Sequence, residues 1–242
     1  DSQAGSLRDD SATPAAAEGF ALIPAGQFEM GDHHDLGGRE HRNDEVPIHP
    51  VSIDAFHMQR TETTNRQYCD FLNDAWLAKT VKMREGQVLQ AGTDIVYCDT
   101  YASDEASQIA LDSQDQFVVR PGKEKHPVVC IRWHGAVAYC NWLSQRDKLP
   151  PAYERRGGGL GARVPLTTGY RLPTEAEWAR VARYPEGRGP LRYPWGEAFP
   201  VPPEAGNYGD QTAADLLRRT LPDYTDSYAA TAPAGSLAPN AL

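Results

Sequence analysis

Apolar residues recur at helical spacing along parts of the chain. Tyr68, Phe71, Leu72 and Ala75 follow Thr64 at intervals of three or four, with Gln67 in the first turn. The pattern predicts a helix opened by a Thr64–Gln67 capping box, with its apolar stripe facing the core. Ala136, Tyr139, Cys140 and Leu143 share one face of a second helix, expected from about Gly135 to Ser144 and entered from a buried strand, Val128 to Ile131. A third helix starts at Thr174, whose hydroxyl can accept from the Glu177 amide while the Glu177 carboxylate reaches back to the Thr174 amide. Glu175 and Glu177 also place negative charge where the helix dipole favours it. This helix is expected to bury Trp178, Val181 and Ala182.

Elsewhere the period shortens to that of strands. Phe20 to Ile23 and Gln27 to Met30 read as two short strands joined by a Pro24-Ala25-Gly26 turn. Val51, Ile53 and Ala55 alternate with Ser52, Asp54 and Phe56, which predicts a strand with one buried face. At about 80–120, the fragments Gln87-Val88-Leu89, Ile95-Val96-Tyr97 and Gln116-Phe117-Val118-Val119 predict a small inserted β-meander, more a structural elaboration than a partner surface. The segment Asp32 to Glu45, with His33, His34 and His41, reads as a solvated loop without fixed ligand geometry. Pro150 to Thr168, with Gly157-Gly158-Gly159, reads as a flexible surface excursion; no Lys-Ser/Thr follows the glycines, so this is no phosphate loop. Few helices, short strands and dense Gly and Pro punctuation make the fold class α+β with much irregular structure.

Composition narrows the function. A chain of 242 residues, 40% hydrophobic and 24% charged, suffices for one sizeable core. That domain is expected over 19–242. Residues 1–18, rich in Ser, Ala, Asp and Gly, read as a linker or a processed terminus, which a trimmed secretory signal or an upstream domain would both explain. A net charge of -9 without a Lys/Arg cluster argues against a nucleic-acid partner and suits divalent cations. No apolar run is long enough to span a bilayer and no signal-peptide pattern stands at Asp1, so a soluble chain is expected. Cys69, Cys98, Cys130 and Cys140 are too widely spaced for a zinc ribbon, and Cys69 and Cys140 read as small buried hydrophobes on helix faces. Neither a Gly-x-Ser-x-Gly elbow nor a zinc-helix motif is present.

The motifs, taken in order, carry more. Arg171-Leu172-Pro173-Thr174-Glu175-Ala176-Glu177-Trp178, followed by Tyr193-Pro194-Trp195-Gly196, resembles the formylglycine-generating enzyme family, the sulfatase-modifying factors. The resemblance begins at Phe20-Ala21-Leu22-Ile23-Pro24-Ala25-Gly26, which looks like the family's opening hairpin. It continues through Glu45 to Phe56, Glu62 to Tyr68, His126-Pro127-Val128-Val129 and Ala136 to Cys140. It implies an irregular C-type-lectin-like α+β domain of sulfatase-modifying factor type. It also implies a structural calcium ion held by the Asn207 side chain, the Tyr208 carbonyl, the Asp226 carboxylate and the Tyr228 carbonyl, a set of hard oxygen donors. The insertion Gly209 to Thr225 is longer than usual, while Thr231-Ala232-Pro233 follows in the expected order.

The activity the resemblance implies is oxygen-dependent oxidation of a sulfatase cysteine to formylglycine, using copper(I) on two thiolates. In the family, the phrase matching Ala238-Pro239-Asn240-Ala241-Leu242 leads into the segment that carries those cysteines. No catalytic residue is therefore assigned within 1–242; the expectation is an N-terminal portion that leaves apolar surface and strand edges to be covered by a C-terminal segment or partner chain. Cys140 matches a position that pairs with a C-terminal cysteine in some secreted members. The same scaffold also hosts non-catalytic binders of proteins, peptides or glycans and iron-dependent sulfoxide synthases, so three functions stay open at this point.

Overall fold

The computed structural model describes residues 19–34, 45–156, 159–185 and 187–240. The linker expected over 1–18 and the loop histidine His41 lie outside them. Four strands open the domain: β1 (Phe20–Ile23), β2 (Gly26–Met30), β3 (His49–Ile53) and β4 (Phe56–Gln59). The predicted hairpin between the first two does not form. β1 pairs antiparallel with β4 and β2 with β3. Ile23 faces Phe56 and Gly26 faces Ile53, so both pairs keep one register across the interruptions at Pro24-Ala25 and Asp54-Ala55. Pro24 has no amide for the ladder, so it breaks a long ribbon without reversing it. The strand predicted through Ala55 divides at the same place.

α1 (Asn65–Leu77) starts where the pattern places it. The Thr64 amide donates to Gln67 Oε1 (2.8 Å) and the Gln67 amide to Thr64 Oγ1 (3.3 Å), and Tyr68, Phe71, Leu72 and Ala75 are buried. Next come β5 (Val81–Arg84), β6 (Gln87–Gln90) and β7 (Val96–Asp99), a three-stranded antiparallel sheet, and the hairpin of β8 (Ile109–Leu111) and β9 (Phe117–Val119). α1 packs on β9 and β5, while α2 (Trp133–Arg146) packs on β7. Aromatic rings fill the space between them. Tyr68 lies 5.3 Å from Phe71 and 5.6 Å from Tyr139, and Trp142 lies 5.8 Å from Phe71. Each such ring contributes about 1.5–3 kcal/mol through burial.

Three further expectations are corrected. The predicted strand over Val128 to Ile131 is half-buried coil, tied to the sheet by a single bridge between Ile131 and Cys98. Cys130 has φ 61°, a left-handed conformation that ends any extended run. The predicted excursion after Pro150 contains a hairpin of β10 (Tyr153–Arg156) and β11 (Gly159–Ala162). In α3 (Glu175–Arg183), Trp178 is 57% exposed and the buried positions are Glu177 and Arg180, with Val181 and Ala182 half-buried. Glu177, Arg180 and the following Tyr184 recur at helical spacing on the face turned to β2 and β3; Trp178, one residue on from Glu177, is rotated away.

Candidate functional site

Beyond α3 the chain has little regular structure apart from a short 3-10 turn, Gln211–Ala213. Side chains do the fastening. The Tyr193 and Trp195 rings stack 4.7 Å apart, and Trp195 meets Tyr208 edge-on at 5.5 Å, which sets the aromatic turn against the loops that carry the expected calcium ligands. The Tyr224 hydroxyl donates to the Gly206 carbonyl (2.6 Å), folding the long insertion back on its start.

Those loops meet around a buried carboxylate. Asp226 accepts from the Tyr208 amide at Oδ2 (2.9 Å) and from the Tyr228 amide at Oδ1 (2.8 Å). One end of the Asn207 amide lies 3.0 Å from the Ala230 carbonyl oxygen and the other 3.3 Å from the Ala232 amide nitrogen. With its nitrogen toward Ala230 it makes both hydrogen bonds. The Tyr208 and Tyr228 carbonyls accept no hydrogen bond among the described residues. Motif order does not flag Asp210, which is fully buried and accepts from the Asp226 amide and from the Thr212 amide (2.8 Å). Its local signal is an Asx turn onto Thr212. Burial pushes the Asp210 carboxyl up, but the Asp226 and Thr212 donors outweigh it and hold the carboxyl below its ordinary value.

Two buried aspartates are thus joined through the Asp226 backbone amide, which donates to the Asp210 carboxylate, and among the described residues no Lys, Arg or His pairs with either. Buried carboxylates met only by backbone amides leave room for a cation, and all the available donors are hard oxygens. No three His, Cys, Asp or Glu side chains converge among the described residues, so carbonyl oxygens would have to complete the shell.

The cysteines suit no thiolate centre. All four are free thiols. Burial pushes Cys69 up to about 11 and Cys140 up to about 12, and raises Cys98 further still. Burial and the Asp104 carboxylate also raise Cys130. In the metal-free chain these sulfurs are held protonated. His33 and His34 are engaged with backbone: His33 Nε2 lies 2.7 Å from the Glu29 carbonyl and His34 Nε2 3.1 Å from that of Pro190.

At the head of α3, Arg171 grips Glu177 with two parallel bonds of 2.6 Å, while Glu177 also accepts from the Thr174 amide (2.8 Å). The capping box is therefore half of a buried ion pair. Burial raises the Glu177 carboxyl, but the Arg171 guanidinium and the Thr174 donors together hold it below its ordinary value.

Comparison with known proteins agrees with this anatomy. The model of the sulfatase-modifying factor enzyme 1-like domain matches residues 7–242. The formylglycine-generating enzyme of Streptomyces coelicolor is 25% identical over 95% of this chain, which spans 65% of that protein. That of Thermomonospora curvata is 27% identical over 93% of the chain and is spanned to 66%; that of Bos taurus is 25% identical over 94% and is spanned to 54%. The crystal structure of CarF superposes with a TM-score of 0.54 at 22% identity, covering 92% of this chain and 73% of that one, a likeness of fold. The fold is the irregular C-type-lectin-like α+β domain, and no described helix is long and apolar enough to cross a membrane. The chain belongs to the sulfatase-modifying factor enzyme 1-like family.

Proposed function

We propose that this chain supplies the scaffold of a formylglycine-generating oxidoreductase whose substrate is a cysteine of a sulfatase. Family membership across residues 7–242, with relatives bearing that name along more than nine-tenths of the chain, is the observation that supports the reading. The chain spans about two thirds or less of those relatives, so the oxidation belongs to the whole protein. Oxygen and copper(I) would supply the redox chemistry, on thiolates other than Cys69, Cys98, Cys130 and Cys140. The test uses the complete gene product, copper(I), oxygen and a peptide carrying a sulfatase cysteine. Aldehyde captured by a hydrazide is the expected result. A folded, copper-loaded protein that yields none would move the chain to the binding scaffolds.

Calcium is the cofactor proposed within this chain, held by Asn207, Tyr208, Asp226 and Tyr228, with Asp210 buttressing Asp226. The two buried carboxylates without a cationic partner support it. The ion would brace loops that have almost no backbone ladder of their own. A chelator is expected to lower the midpoint of thermal unfolding by several degrees, with calcium restoring it. For calcium at roughly a hundred times its Kd the stabilisation is about 2.7 kcal/mol. Asp226→Asn should lose most of that response. A chelator that leaves the wild-type transition unmoved would refute the site.

A further inference from the structure

The far end of α3 carries a charge that no described residue answers. Arg180 is 8% exposed, its Nε is enclosed without an acceptor, and no carboxylate among the described residues lies within ion-pair distance of its guanidinium. The carboxylate one turn back, Glu177, is already committed to Arg171. A buried guanidinium is strongly unfavourable unless something pairs with it.

The space it faces is a cavity of about 340 Å³ between β2 and the chain leaving α3. Phe28, Glu29, His33, Tyr184 and Arg188 line it with Arg180. The Phe28 and Tyr184 rings, 4.6 Å apart, make an apolar wall. His33 turns its Nε2 to the Glu29 carbonyl. None of Asn207, Tyr208, Asp210, Asp226 and Tyr228 lines this space, which is therefore separate from the calcium loops.

We propose that this cavity binds a monoanionic carboxylate ligand with an apolar body, its carboxylate seated on Arg180 and its body against Phe28 and Tyr184. The planar guanidinium presents paired donors in the spacing of a carboxylate's two oxygens, and the bond strengthens as water is excluded. Glu29 selects for a single charge. A dianion such as phosphate would meet one deeply set cation and a nearby like charge. Arg188, exposed at the rim, draws the anion in.

Benzoate is the probe, titrated into the complete gene product by calorimetry and by thermal unfolding, with inorganic phosphate in a parallel arm. Benzoate is expected to bind one to one and raise the unfolding midpoint, and phosphate to bind roughly tenfold more weakly or worse. Arg180→Met should weaken benzoate by about tenfold or more, as expected for a charge-assisted hydrogen bond. In ligand-free buffer it should unfold no lower than the wild type, because a buried charge without a partner has been removed. Should Arg180→Met fail to fold, Arg188→Ala is the second variant, expected to weaken benzoate about threefold with a steeper loss at low salt than at high. Equal benzoate affinity in wild type and variant, phosphate binding as tightly as benzoate, or a ligand-free Arg180→Met protein that unfolds several degrees lower would each overturn the proposal.

Discussion

Glu177→Gln is expected to cost about 3 kcal/mol at pH 7, because it leaves the Arg171 guanidinium buried beside a neutral amide. Arg171 keeps only 19% of its side chain exposed and Glu177 10%, so water recovers little of the loss. For a chain of this size the midpoint of thermal unfolding should fall by about 6–12 °C. The pH dependence identifies the cause. The folded carboxyl is held below its ordinary value, so the stabilisation is fully present above that ordinary value and is lost as pH falls through the folded one. Unfolding curves of wild type and Glu177→Gln should therefore stand apart at pH 7 and converge at acid pH. A gap unchanged at low pH would mean that shape, and not charge, makes Glu177 important.

A single methyl group at Gly135 should be as damaging. Inside a helix alanine is ordinarily better than glycine by about 1 kcal/mol. Here a Cβ would overlap the Tyr97 carbonyl oxygen and stand 2.5 Å from the Tyr68 hydroxyl. Tyr97 belongs to β7 and Tyr68 to α1, so the methyl would wedge apart the three elements that enclose the aromatic core. Gly135→Ala is expected to lose about 3 kcal/mol, at the upper end for overpacking. Urea unfolding measures it directly, and amide exchange in β7 should quicken. A variant as stable as the wild type would show that α2 slides on β7 at little cost.

How far the amino-acid sequence discloses a feature depends on range along the chain. The capping boxes at Thr64–Gln67 and Thr174–Glu177 are legible because both partners lie within one turn. The existence of β1 and β2 is legible from alternation. Their partners are not: Phe20 pairs with Gln59 and Met30 with His49, and nothing near either strand announces that choice. Trp178 misleads because an apolar residue is expected to face inward. The Arg171–Glu177 pair and the cavity at Arg180 instead fix which face of α3 turns in, and both depend on groups outside the helix's own pattern. The order of motifs points to Asn207, Tyr208, Asp226 and Tyr228, whereas Asp210 carries no such mark. Its role depends on meeting Asp226, 16 residues on, through a loop of unusual length.

By itself the sequence determined the family, the α+β class, the helix starts and the stripe that becomes the aromatic core, since each is written in short-range spacing or in the order of motifs. Tertiary structure alone decided the joining of β1 and β2 into one interrupted ribbon, the exposure of Trp178, the meeting of the Asp210 carboxylate with the Asp226 amide and the burial of Arg180 without a partner among the described residues. The physical reason is common to all four. Burial and electrostatic compensation are properties of what surrounds a group in space, and the surrounding residues come from segments far apart along the chain.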